Sequence, residues 1–100
     1  MKFKNMKIVL KDTFLQRLSR QVNYIAQDSS QRARKFKNDL FKEIRKIPER
    51  PYSNRKSIFF DDRQIRDLIF KGYIIVYRIK ETTNQIEIFG FTKYQDRPTD

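Results

Sequence analysis

The chain has no cysteine and no histidine. The first absence removes disulfides and thiolate chemistry and leaves the redox compartment open. The second removes the imidazole base and the ordinary zinc site. No apolar run approaches the roughly 20 residues that a membrane span needs, and Met1–Lys11 lacks the apolar core and small-residue cleavage site of a secretion signal. No membrane partner is expected, and the cytoplasm is the default location. There is also no P-loop, glycine-rich fingerprint, metal-ligand cluster or nucleophile–base pair. No cofactor and no metal are therefore expected.

What the chain does have is positive charge and aromatic rings. Its net charge is +11, and nine Phe and five Tyr make a core affordable despite a mean hydropathy of −0.82. One hundred residues make one domain, 1–100, with 1–5 as a leader or alternative start and 95–100 as a polar tail. The first fifty residues carry 14 Lys/Arg against 5 Asp/Glu, the last fifty 9 against 7. Such a basic domain favours nucleic acid, an anionic surface or an acidic protein.

Met6–Leu10 reads as a short strand. Asp12 or Thr13 can cap a first helix, in which Phe14, Leu18, Val22 and Ile25 recur at helical spacing and Leu15 widens the stripe. Arg17, Arg20 and Asn23 fall on its wet face. Asp28-Ser29-Ser30 supplies a second cap. From Gln31 to Ile47 the apolar positions are Ala33, Phe36, Leu40, Ile44 and Ile47, and Pro48 stops the helix. The short joint makes the two helices an antiparallel hairpin. Seven Lys/Arg between Arg32 and Lys46 face only Asp39 and Glu43. Arg34, Lys35, Lys42, Arg45 and Lys46, with Lys93, are therefore candidates for contact with nucleic acid.

Pro48–Lys56 reads as an ordered loop crossing an edge, Ser57–Phe60 as a brief apolar run, and Asp61–Arg63 as a turn. The centre of the chain is Ile65–Lys80, two β-branched and aromatic runs flanking Lys71-Gly72, a two-residue hairpin turn. Tyr73–Tyr77 is apolar at every position, which marks a middle strand covered on both faces. A four-residue loop, Glu81–Asn84, leads to a last strand at Gln85–Phe91. The order is β-α-α-β-β-β: an α+β fold with the helical hairpin on one face of a small, mainly antiparallel sheet.

Alternation then sorts the hairpin and last strand into two faces. Leu68, Phe70, Tyr73, Ile75, Tyr77, Ile79, Ile86 and Ile88 seat the helices, with Arg66 at one end beside Tyr77. This register pairs Ile75 with Gly90 and Arg78 with Glu87. The open face carries Ile65, Asp67, Ile69, Ile74, Val76, Arg78, Glu87, Phe89 and Phe91, a mixed apolar and charged strip suited to another polypeptide. Lys93, Tyr94 and Arg97 lie just beyond it. A cluster of Lys, Tyr and Arg can neutralise a phosphate and stack a base, and without histidine an RNA-cleaving site would have to use such a set.

The pattern resembles the RelE/ParE superfamily of bacterial toxins from type II toxin–antitoxin pairs. The resemblance spans residues 6–94. It rests on Tyr24-Ile25-Ala26 with Asp28-Ser29, Ala33 and Phe36, the Pro48–Pro51 exit, Ile65-Arg66-Asp67-Leu68, Gly72-Tyr73 and Val76-Tyr77-Arg78. It implies a small toxin neutralised by a cognate antitoxin that wraps it, here through an acidic segment. RelE-like members cleave mRNA on the ribosome, and ParE-like members poison DNA gyrase. In the RelE-like pattern a catalytic arginine follows the Gly-Tyr pair and lysines precede it on the neighbouring strand. Here those places hold Ile74, and Ile65 and Asp67. The chain looks closer to the ParE-like branch; as an RNase it would have to use Lys93, Tyr94, Arg78 or Arg97.

Overall fold

The computed structural model describes residues 6–94. Strand β1 (Lys7–Leu10) leads into helices α1 (Asp12–Asp28) and α2 (Ser30–Lys46). A 3-10 turn at Ile47–Glu49 follows, then strands β2 (Arg55–Lys56), β3 (Ile65–Phe70), β4 (Tyr73–Lys80) and β5 (Gln85–Lys93). The sheet order is β1-β5-β4-β3-β2, with β1 parallel to β5 and the other pairs antiparallel. The all-apolar strand is thus central, as its lack of a polar face requires.

The hairpin turn forms at Lys71-Gly72, with φ of 47° and 82°. Both central residues are left-handed, the condition for a primed turn that matches strand twist. Phe70 consequently pairs with Tyr73 and Leu68 with Ile75. Lys71 also reaches Asp39 of α2, which Lys35 holds as well, at 3.4 and 3.1 Å. The Lys35 hydrogen bond, helped by that of Lys71, keeps the Asp39 carboxyl below its usual range.

All eight apolar residues assigned to the helix-bearing face pack against α1 and α2. Phe14 and Leu18 of α1 and Phe36, Leu40 and Ile44 of α2 are buried there. Phe36 sits edge-on to both Phe70 and Tyr73, with centroids 5.5 Å away in each case. Tyr77 is fully buried within this core. Its hydroxyl donates to the Pro51 carbonyl at 2.6 Å and accepts from the Asn54 amide at 3.1 Å, pinning the edge-crossing loop. Burial pushes the Tyr77 hydroxyl up to about 12. Arg66 is a loop clamp too: it donates to the Asn54 and Arg63 carbonyls and stacks over Tyr52.

Three local expectations are corrected. The first helix has Lys11, not Asp12 or Thr13, at its N-cap, and no side chain caps it. The Lys11 N–H is drawn to the Ile88 carbonyl, so extended geometry persists one residue further and Asp12 becomes helical. Thr13 instead donates its hydroxyl to the Phe89 carbonyl at 3.1 Å. Ser29 does cap α2, accepting from the Arg32 N–H. Secondly, a two-residue strand, β2, adds a fifth strand to the sheet beside Arg66 and Asp67.

The third correction concerns register. Arg78 pairs with Glu87 as expected, but a β-bulge shifts the pairing between Tyr77 and Val76. Tyr77 faces Ile88 and Val76 faces Gly90, leaving Phe89 as the extra residue. Ile75 therefore pairs with Phe91 rather than Gly90. Phe91 moves from the open face to the helix-bearing one, where it stacks on Tyr73 at 5.1 Å and meets Phe14 edge-on. Gly90 permits this: a Cβ there would lie 3.0 Å from the Val76 Cβ.

Candidate functional site

The face of the sheet away from the helices carries a second, smaller apolar cluster. Ile65, Ile74 and Val76 form its buried floor, with Phe89 and Tyr94 packed against them. The floor is buried because the segment from Ser57 to Asp61 lies across it as a strap. Two strap residues, Ile58 and Phe59, share a small cavity of about 350 Å³ with Ile74, Thr92, Lys93 and Tyr94. A third, Phe60, meets the Phe89 ring edge-on at 5.7 Å.

Asp67 tethers the strap. Its side chain is wholly buried, and Oδ2 accepts from the Ile58 N–H at 3.0 Å and from the Arg55 guanidinium at 3.3 Å. Oδ1 has no hydrogen-bond partner among the described residues. The Ser57 N–H adds a bond to the Ile65 carbonyl, and the Ser57 hydroxyl accepts from the Phe59 N–H. The strap hides one apolar layer and displays another: Ile58 is 60% exposed, Phe59 51% and Phe60 42%, beside Ile69 at 43%. Four large apolar side chains at the surface of a basic domain form a patch that water does not favour.

Around this patch the charge is mostly positive. Glu87 is met by Arg78 at 3.3 Å, Lys80 at 3.6 Å and Lys11 at 3.8 Å. Arg78 also lies over the Phe89 ring, 5.3 Å from its centroid. Arg55 similarly lies over Tyr94, at 5.8 Å. At Glu87 one carboxylate thus meets three cations, and Asp61 at the end of the strap is paired with Lys56, so the basic side chains there remain available to an acidic ligand segment.

A model of the family described as "ParE toxin of type II toxin-antitoxin system, parDE" matches residues 8–95. The chain belongs to the ParE toxin family. No curated protein matches it. Membership makes this chain the toxin of a toxin–antitoxin pair, with an antitoxin as its partner. Among the described residues no helix is long and apolar enough to cross a membrane.

In this ParE-family chain the residues singled out from sequence divide into groups. Asp67, Ile69, Ile74, Val76, Arg78, Glu87 and Phe89 do share the strap-bearing face; Phe91 does not, for the reason given above. Of these, Asp67, Ile74 and Val76 are covered, whereas Ile69 is open to a ligand. Of the RNase set, Lys93 and Tyr94 border the strap cavity together, and Arg78 lies further along the sheet. The Tyr94 N–H bonds the Gly72 carbonyl, and Arg78 lies opposite Glu87. Their backbones are thus six residues, or about 20 Å, apart along β4, while the Tyr94 ring packs back on the cluster that holds Phe89. Arg97 lies outside the described residues. Arg34, Lys35, Lys42 and Arg45 line a groove on α2 together with Asp39, and Lys46 pairs with Glu43.

Sequence reasoning missed the strap and Arg55. The apolar run Ser57–Phe60 was visible, but four residues without alternation carry no sign of which surface they cover. Arg55 stands in a loop rich in polar residues, and only the β2–β3 pairing brings it to Asp67.

Proposed function

We propose that this toxin arrests bacterial growth by binding a large target, DNA gyrase, in the cytoplasm, and performs no chemistry of its own. An acidic segment of its antitoxin docks on the strap-bearing face and neutralises it. The observation that carries the reading is the content of that face. Where the RelE-like pattern places arginine and lysines, this chain has Ile74, Ile65 and Asp67. Each is no more than 2% exposed, and Asp67 is committed to Arg55 and the strap. Ile74 and Ile65 can neither donate to a phosphate nor stabilise developing charge, and a carboxylate repels one. Exposed Ile58, Phe59, Phe60 and Ile69 beside Arg78 and Lys80 instead offer what protein recognition uses, apolar anchors with a charged rim.

The test has two arms. Purified toxin is expected to inhibit gyrase supercoiling while leaving ribosome-programmed mRNA intact. Cuts in that mRNA that vanish in Tyr94→Ala would replace this reading with a ribosome-dependent RNase. Induced expression without growth arrest would reduce the chain to a binding module. For the antitoxin, Arg78→Glu is expected to weaken binding at least tenfold; an unchanged Kd sinks the assignment of this face.

A further inference from the structure

A second surface lies on the α1 side of the sheet, meeting the strap cavity at Thr92 and Lys93, which border both. Between the outer turns of α1 and the end of β5 runs a groove of about 650 Å³. Arg17, Arg20 and Lys93 project along it, with the amides of Gln21 and Gln27 and the ring of Tyr24. Positions 17, 20, 21, 24 and 27 repeat at helical spacing, so they form one stripe on α1, about 15 Å long. Lys93 faces that stripe from the strand. Its position there follows from the bulge, which sends Phe91 and Lys93 to the α1 side together.

Two features separate this groove from an ordinary solvated surface. The first is that, among the described residues, no carboxylate lines it. The neighbouring grooves along the helices contain Asp28 and Asp39 respectively, each bonded to a cation. Among the described residues, no carboxylate pairs with Arg17, Arg20 or Lys93. The second is Tyr24, 69% exposed between arginines on a rigid helix. Its ring is not needed by the core, because Tyr73 and Phe91 close the floor of the groove by stacking on each other.

We infer that this groove binds single-stranded nucleic acid, with Arg17, Arg20 and Lys93 on consecutive phosphates and Tyr24 stacked on an unpaired base. Guanidinium, ammonium and amide donors are the side chains that grip a phosphodiester backbone. A positive groove with an aromatic platform is the arrangement that holds single strands without reading their sequence. An acidic peptide would satisfy the cations but would leave Tyr24 idle, and the closed floor offers no pocket for an apolar anchor. A second copy of this chain is disfavoured by the three like charges it would bring face to face.

The experiment is fluorescence anisotropy of the full chain with labelled 12-nucleotide oligomers, one DNA and one RNA, across a salt series. Three phosphate contacts give a slope of log K against log salt of about −2, and Arg17→Ala/Arg20→Ala brings it to about −0.7. Tyr24→Ala is expected to lower affinity about tenfold with the slope unchanged, and Tyr24→Phe to restore it. All three positions are exposed, so folding is not at stake. The control is Arg34→Ala/Lys42→Ala, which removes the same charge from α2 and is expected to change affinity less than twofold. Equal losses in the two arginine-containing pairs would reduce the binding to net charge and overturn the inference. So would a silent Tyr24→Ala, no binding at low salt, or a glutamate-rich peptide that binds more tightly through the same residues. The tighter of the two oligomers names the natural strand.

Discussion

Removing the carboxylate that tethers the strap is the most direct probe of how the exposed patch is held in place, and its cost can be worked from the contacts. Asp67→Ala deletes the acceptor of the Ile58 N–H and the partner of Arg55. The orphaned amide costs about 1–3 kcal/mol. Loss of the Arg55 pair adds less than about 1 kcal/mol, because that guanidinium is partly in water. The expected total is about 2–3 kcal/mol, a fall in Tm of roughly 10–15 °C for a chain of this size. Asp67→Asn keeps the shape and one acceptor for Ile58, and it relieves the burial of a charge, so about 1 kcal/mol is expected. Thermal and urea denaturation give both numbers. Hydrogen exchange adds a local reading: the Ile58 and Phe59 amides are expected to lose protection in Asp67→Ala while the β4 amides fall only with global stability. The reasoning is refuted if Asp67→Ala lies within about 0.5 kcal/mol of the native chain, or if Asp67→Asn proves the more damaging of the two.

Gly90→Ala is expected to cost about 1–3 kcal/mol by driving a methyl against Val76. A double-mutant cycle with Val76→Gly, which removes the Cβ that the new methyl meets, should show a coupling of at least about 1 kcal/mol in denaturation, whereas additive effects would contradict the contact. Ile58→Ser with Phe59→Ser is expected to cost about 1–3 kcal/mol, since each side chain is about half buried over the floor, and to weaken antitoxin binding at least tenfold by calorimetry under conditions where the variant is folded. Tyr77 makes stability fall in alkali. Its hydroxyl titrates near 12 when folded and near 10 when unfolded. Above pH 10 the unfolded chain therefore loses the proton first, and stability drops by up to about 2–3 kcal/mol as pH rises from 10 to 12. Tyr77→Phe is expected to cost about 1–2 kcal/mol at pH 7 and to make urea midpoints less steep in alkali. Burial also raises Tyr52 and Tyr73, so a residual slope remains.

How far the sequence could be read depended on how local each determinant was. The hairpin at Lys71-Gly72 was legible because two residues fix the turn and ten flanking apolar positions fix the faces. The Arg78–Glu87 pair followed from one loop length. Beyond it, alternation fails at a single extra residue, and Gly90 has no side chain whose polarity could signal the change. Phe91 was misplaced for that reason alone. The helix starts one or two residues earlier than Asp12 or Thr13 would cap it, because the Lys11 N–H is claimed by Ile88, a residue 77 positions away. Arg17 and Arg20 look like any wet helical face until β5 is laid beside them. Tyr24 fits a family pattern in the sequence, and only the fold gives its exposure.

The bulge at Phe89 acts as a phase shift in the strand's count. Before it, odd-numbered residues of β5 turn toward the strap, with Glu87 and Phe89 there; after it, odd-numbered Phe91 and Lys93 turn toward α1. One strand thus serves both sides of the molecule in succession, first supplying the strap-bearing face and then the cationic groove. Pairing Phe89 in unbroken register, with no residue left over, would turn Phe91 and Lys93 to the strap side, stripping the groove of its lysine and the core of a phenylalanine together. The two surfaces are therefore not independent inventions on one scaffold: a single miscount in the backbone is what lets them coexist.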